Sequence, residues 1–320
     1  MSGLTPRHIT ELSPTSSALR PDDSESLRVA RLFLSVAEFP LRKQLIILLT
    51  LSCLWWGSTS SLHSDEIELF NGKNLKGWTS WLRNSQHEDP DKVFSVVNNT
   101  LRISGAGYGY LATKETFENY LLRVEFRWGN QEKLDRKDRT GKALDSGLFL
   151  HASGPHGNSH DGRGAYMAAI ECNIFQGATG DFLLIRGDDA QGNLIVPRVT
   201  VAHSGEQDSD EFPSWDANGH LRRLETFGRV NWRNKSKDWK DQRDLRGPKD
   251  IERPYGEWNQ LECLCIDRSI TLRLNGKVVN QVTEIYPYQG KILLQCEGAE
   301  IFFRNILLTP LSDPPNQRSQ

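Results

Sequence analysis

The stretch Tyr120-Leu-Leu-Arg-Val-Glu-Phe-Arg-Trp128 decides the fold class. Leu122, Val124, Phe126 and Trp128 fall on one side of an extended chain, and Arg123, Glu125 and Arg127 on the other. Side chains change face at every step along a strand, so this period of two describes a strand with one side in a core. In 165–175 the apolar set is Ile170, Cys172 and Ile174, which turns Glu171 and Asn173 away from the core. By the same count Leu148 and Leu150 point inward and leave Phe149 and His151 on the far face. In 290–296, Ile292, Leu294 and Cys296 point inward while Gln295 projects outward, with Glu297 close behind. One open sheet face is expected to gather a His, a Glu, two amides and aromatics, a composition suited to a sugar.

From Glu66 onward the chain reads as short β-rich runs cut by Gly, Asn, Asp and Pro, with no helical apolar period. Strands are expected at 66–70, 93–97, 100–104, 110–113, 120–128, 147–151, 165–175, 181–185, 194–203, 221–227, 258–267, 269–274, 277–283, 290–296 and 301–308. Asn98-Asn99 and Asn275-Gly276 stand at hairpin tips, where their tolerance of positive φ is needed. The class is all-β, two antiparallel sheets in a sandwich. Long loops at 129–146, 152–164, 204–219 and 228–257 are expected to supply the rim of a cleft.

The only long apolar run, Leu45–Trp56, follows Arg42 and Lys43 and precedes Gly57 and a Ser/Thr cluster. That order describes a secretory signal, and the run is short of the roughly 20 residues that span a bilayer. Residues 1–61 are therefore expected to be a leader, 62–313 a single β-sandwich catalytic domain and 314–320 a tail. The 40 residues before the run are long for a signal, which points to translation starting near Leu34 or Val36. The protein is expected to be exported, to the periplasm or beyond; membrane association through the N-terminal segment, or a lipid on Cys53, is the alternative. Cys172, Cys263, Cys265 and Cys296 all lie in expected strands and read as buried free thiols. With 39 Lys and Arg against 41 Asp and Glu, the net charge of −2 makes no case for nucleic acid as a partner. Gly105-Ala-Gly107-Tyr-Gly109 leads into a strand instead of a helix, which argues against nucleotide binding.

Several longer words resemble one family. They are Glu68-Leu-Phe-Asn-Gly-Lys-Asn-Leu-Lys-Gly-Trp78, Asp145-Ser-Gly-Leu-Phe-Leu-His151, Ala169-Ile-Glu-Cys-Asn-Ile-Phe-Gln176 with Gly180-Asp181, Gly256-Glu-Trp-Asn259, Leu274-Asn-Gly276 and Gly298-Ala-Glu-Ile-Phe-Phe-Arg-Asn305. In this order they resemble the 3-keto-disaccharide hydrolase domain, also described as 3-keto-glucoside 1,2-lyase and 3-keto-2-hydroxy-glucal hydratase and once as domain of unknown function 1080. The resemblance covers about residues 66–311. It implies a concanavalin A-like jelly roll, a 3-keto-glucoside substrate and a separate sugar 3-dehydrogenase upstream.

A ketone at C3 acidifies the C2 proton, so a base can remove it, the C1 aglycone can leave, and water can add to the product. Glu171 and His151 are the expected catalytic pair, with acid and base roles left open. Asn173, Gln295, Asp145, Trp232 and Glu297 are the expected substrate-binding residues, Trp232 by stacking on a ring. Asp145 reads equally as a turn cap. A divalent metal ion is a candidate cofactor that would polarise the ketone and the C2 hydroxyl, held by Glu171 and His151 with a loop Asp; His151, His156, His160 and Asp161 form a weaker metal set. Lys235, Lys237 and Lys240 read as a solvated charge run. Because such sandwiches also serve as lectins, a non-catalytic carbohydrate-binding module is the competing function, and a scaffold module a third.

Overall fold

The computed structural model describes residues 66–130, 139–207, 212–225 and 228–312. All of them belong to the unit Leu62–Gln320. The leader, its apolar run and the tail predicted for 314–320 lie outside the described residues.

In chain order the strands are β1 (Ile67–Glu68), β2 (Trp78–Leu82), β3 (Phe94–Val97), β4 (Thr100–Ile103), β5 (Tyr108–Thr113), β6 (Tyr120–Trp128) and β7 (Asp145–Ser153). There follow β8 (Ala168–Phe175), β9 (Phe182–Ile185), β10 (Gly187–Asp188), β11 (Leu194–Ile195), β12 (Arg198–Gln207), β13 (Pro213–Trp215) and β14 (His220–Glu225). The last are β15 (Gly228–Val230), β16 (Asn259–Ile266), β17 (Ser269–Leu274), β18 (Lys277–Tyr286), β19 (Lys291–Glu297) and β20 (Ile301–Pro310). The smaller sheet runs β15-β9-β8-β7-β19-β5-β2. The larger runs β13-β12-β18-β17-β16-β6-β20-β4-β3, with β1 on β20 and β14 on β12. All pairings between these strands are antiparallel, as the alternation led one to expect, and the molecule is the jelly-roll sandwich that the family resemblance implied.

The core lies between the two sheets. Leu122, Val124 and Phe126 of β6 and Leu261, Cys263 and Cys265 of β16 meet Leu148, Ile170, Cys172, Ile174, Ile292 and Leu294 of the smaller sheet, all fully buried. Slipping any of these strands by one residue would carry its whole apolar set to the other face, so the core also fixes the register. The four cysteines are buried and free. Asn98 and Asn99 at one hairpin tip and Asn275 and Gly276 at another have positive φ, as their residue types led one to expect. The strand β2 was not foreseen, because Thr79 and Ser80 interrupt the apolar reading of Trp-Thr-Ser-Trp-Leu.

The β7 strand departs from its expected course at one point. Leu150 stands opposite Ile170, but the next pair on β8 is Ser153 with Ala168. Against β19, Phe149 pairs with Leu293 and Ala152 with Lys291. In both pairings β7 carries one extra residue, a β-bulge, and His151 at φ 56° accommodates it. Beyond the bulge the parity is reversed.

Candidate functional site

The outer face of the smaller sheet, away from the core, carries the polar cluster. Gly147 of β7 stands at its centre, with Asn173 of β8 opposite it on one side. The pairing of Leu294 with Leu148 sets Gln295 of β19 opposite Gly147 on the other side. Tyr110 of β5 and Trp81 of β2 continue the same row. One row along lie Phe175, Asp145, Glu297 and Tyr108. In the other direction lie Glu171, Phe149 and Leu293. Regular alternation on three adjacent strands, β8, β7 and β19, therefore brings Glu171, Asn173, Asp145, Gln295 and Glu297 together.

The glycine has a reason. A Cβ at Gly147 would stand 2.4 Å from Glu171 Oε1 and 3.1 Å from Gln295 Oε1. Both side chains lean over a space that any larger residue would fill. Glu171, Asn173 and Gln295 are 2–3% exposed, yet Asn173 Oδ1 and Gln295 Oε1 have no hydrogen-bond partner. Buried acceptors are normally satisfied, so two orphans in one cluster are positions to which a ligand or a water would bring hydrogens.

Burial, then the charge of Glu297, pushes the Glu171 carboxyl well above the usual carboxylate range, and Arg229 offsets only part of this. The Asp145 carboxyl is raised too, by burial and by Glu297, against the pull of Arg139 at 3.3 Å. The ion pair and the net direction oppose each other here, and burial wins because Asp145 is 9% exposed and Arg139 must also serve Asp241 at 3.2 Å.

A loop, 154–167, folds over the part of this face around Phe149 and adds a residue that sequence reasoning missed. Tyr166 packs its ring 5.2 Å from Phe149 and donates its hydroxyl to Glu297 Oε2 at 2.7 Å. Its phenol is pushed well above its ordinary range by burial and by Glu297. Trp81 Nε1 donates to Gly164 O at 3.0 Å, and the Tyr110 hydroxyl bonds His156 Nδ1 at 2.9 Å, fastening the loop to the sheet. The run of glycines from Gly154 to Gly164 signals a loop, but nothing in it says which side chain reaches the cluster.

Two expected site residues lie elsewhere. His151 is turned by the bulge into the space between the sheets, where it is fully buried and its ring meets Tyr120 edge-on at 5.6 Å. It cannot act with Glu171, which is on the opposite face, nor share a metal ion with it. Burial holds its imidazole down at about 4, and the nearby Pro287 carbonyl raises it only in part, without reaching hydrogen-bonding geometry. Trp232 is also a core residue, 2% exposed, with Nε1 donating to Gly177 O at 3.3 Å. It offers no face for a sugar. Lys235 is likewise no solvated charge: its Nζ bonds Asp181 Oδ2 at 2.9 Å and Asn231 Oδ1 at 2.7 Å.

The alternative metal set is dispersed. His156 bonds Tyr110, His160 Nε2 lies 2.8 Å from Asp188, and Asp161 pairs with Arg186 at 2.7 Å. Among the described residues no group of three or more His, Cys, Asp or Glu is arranged to hold a metal ion. A cavity of about 810 Å³ opens at the end of the larger sheet, lined by Arg127, Trp128, Arg243, Tyr255 and Phe302 among others. It includes none of the clustered carboxylates, so the cluster and not the volume identifies the site.

The family model of the 3-keto-alpha-glucoside-1,2-lyase-like domain matches residues 65–309. No match was found among curated proteins. Among solved structures, the chain is similar to a Parabacteroides distasonis protein provisionally described as a glycosyl hydrolase, at 16% identity and TM-score 0.43, covering 77% of this chain and 94% of that one. It is also similar to the carbohydrate-binding module CBM66 of Bacillus subtilis, at 9% identity and TM-score 0.39, covering 73% and 95% of the two chains. A Bacillus licheniformis beta-glucanase is similar at 12% identity and TM-score 0.37, over 79% and 100%.

Proposed function

Because the chain belongs to the 3-keto-alpha-glucoside-1,2-lyase-like domain family, we propose that it cleaves 3-keto-glucosides by elimination followed by hydration. Glu171 takes the proton from C2, the C–H electrons form the C1–C2 double bond, and the C1–O bond breaks. The aglycone oxygen leaves with a proton. Water then adds its oxygen to C1 and a proton to C2, so that keto-glucoside and water become 3-keto-glucose and a free alcohol.

The observation that carries this reading is the setting of Glu171. A carboxylate whose conjugate acid is weakened by burial is a stronger base than one in water, which suits removal of a carbon-bound proton. Asp145, also raised by burial and by the charge of Glu297, is the carboxyl assigned to give a proton to the departing oxygen. Asn173, Gln295 and Glu297 hold the sugar around them. The substrate requires prior oxidation at C3, so a separate sugar 3-dehydrogenase supplies it. The protein works outside the cytoplasm, delivered there by the segment 45–56.

The test is aglycone release from a 3-keto-glucoside and from its unoxidised parent. Release from the keto sugar alone is expected, and Glu171→Gln should lower it by about 10² to 10⁴-fold, the range of general-base catalysis, while leaving binding in place. Binding of both sugars with release from neither would establish the carbohydrate-binding module instead.

A further inference from the structure

The contacts of Glu297 fix the direction of one amide in the site. Its Oε2 accepts from the Tyr166 hydroxyl at 2.7 Å and from Gln295 Nε2 at 2.6 Å. A carboxylate oxygen has no hydrogen to offer an amide carbonyl, so only the NH₂ end of Gln295 can face it. Amide orientation is assigned from such networks, and here the carboxylate decides it. Gln295 Oε1 is thereby turned to the space over Gly147, where Glu171 Oε1 also lies. Gln295 is 2% exposed and this oxygen has no partner. What it lacks is a hydrogen, which a ketone oxygen cannot provide.

In a 3-keto-glucoside the two carbons beside the ketone, C2 and C4, each bear an acidified hydrogen and a hydroxyl, but only C2 adjoins C1, so only loss of its hydrogen can expel the C1 aglycone. Two acceptors converging over Gly147 match the pair on C2: Glu171 for the C–H and Gln295 for the O–H. We propose that Gln295 is a specificity residue that accepts the C2 hydroxyl hydrogen, with Glu297 and Tyr166 as positioning residues that hold its amide in that orientation. The inference rests on the reading above that this face takes a 3-keto-glucoside, and it adds which sugar hydroxyl the site reads.

The experiment compares kcat/KM for a 3-keto-glucoside and its 2-deoxy counterpart in the wild-type protein, Gln295→Leu and Glu297→Gln. Dividing each ratio by the wild-type ratio cancels the intrinsic reactivity of the two sugars. A buried acceptor left unpaired is expected to cost the wild type about 10- to 100-fold on the 2-deoxy sugar. In Gln295→Leu the preference should shrink to about threefold or less, because no acceptor remains to be stranded. Glu297→Gln lets the Gln295 amide turn and should weaken the preference in the same direction; it also serves if Gln295→Leu does not fold. Binding of the unoxidised glucoside and its 2-deoxy analogue is followed in parallel by ligand-observed NMR. Full 2-hydroxyl preference retained in the folded variants, or none in the wild type, overturns the inference while turnover of the keto sugar leaves the lyase reading standing. Absent turnover with a binding preference that Gln295→Leu removes would sustain the inference and sink the lyase reading; neither turnover nor binding would sink both.

Discussion

His151 should make the protein sensitive to acid in a window that its own burial defines. Burial lowers its imidazole from 6.5 to about 4, so between these values the unfolded chain holds a proton that the folded one excludes. Its contribution is complete above pH 6.5 and is lost as pH falls toward about 4. At about 1.4 kcal/mol per pH unit the full loss is about 3 kcal/mol, a large share of the 5–15 kcal/mol of a typical domain. The perturbation is His151→Asn, because Asn tolerates the φ of 56° that the bulge imposes. The cavity it leaves lowers stability at every pH, so the decisive quantity is the change of the difference with pH. Urea unfolding at pH 7 and about pH 4.5 should show the wild type losing about 2 to 3 kcal/mol more than the variant over that interval. Equal losses in the two proteins would mean that His151 titrates normally, and the assignment of its ring to the inter-sheet core would fall.

The remaining expectations bear on the site and its support. Gly147→Ala puts a methyl group 2.4 Å from Glu171 Oε1; kcat/KM should fall by about 10²-fold, the scale of a 1 Å misplacement, with a fold that survives by circular dichroism. Unchanged turnover would show that Glu171 need not occupy that space. Glu252, buried between Trp128 Nε1 at 2.7 Å and Thr179 Oγ1 at 2.8 Å, is raised from 4.5 to about 7. Its stabilising share is therefore present below pH 4.5 and lost as pH rises to about 7, and Glu252→Gln should remove a loss of about 3 kcal/mol in thermal or urea melts across that interval. Trp232→Phe keeps the core filled but removes the bond to Gly177 O; a stability cost of about 1 kcal/mol with KM unchanged is expected, whereas a raised KM would restore Trp232 to the sugar site.

The parts of the site that were legible in the sequence are those that obey strand alternation. Glu171 and Asn173 stand between Ile170, Cys172 and Ile174, and Gln295 stands between Leu294 and Cys296, so a period of two sufficed to place them on the outer face. His151 failed because the same counting was continued through a bulge. Gly is the usual marker of a bulge residue at positive φ, and Leu-Phe-Leu-His contains none; His tolerates that conformation without announcing it. Trp232 and Lys235 failed for a different reason. They belong to a long connection whose residues follow no period, and Asp181, which receives the Trp232 backbone N–H at 2.8 Å and the Lys235 ammonium, lies over fifty residues away in the chain. Tyr166 is the same kind of case, since it reaches Glu297 across 131 residues of sequence.

The distribution of carboxyls and amides also bears on why this face would need an oxidised sugar. A retaining glycosidase that attacks an unactivated glycoside works with two carboxyl groups about 5 Å apart. On β8 only Glu171 is a carboxyl; the next outward residue is the amide of Asn173, and beyond it Gln176 uses both ends of its amide on Asp244, at 2.9 and 3.1 Å. Glu297 is engaged by Tyr166 and Gln295. The face therefore offers the carboxyls of Glu171 and Asp145, both raised by burial and by Glu297, and a set of acceptors for hydroxyl hydrogens. The proposed elimination asks for less than a retaining mechanism does, because a ketone beside C2 would already have weakened the C–H bond that a desolvated base must break. Under the proposed elimination the activation would reside in the substrate, and the sandwich would supply the base, the register and the reading of the neighbouring hydroxyl.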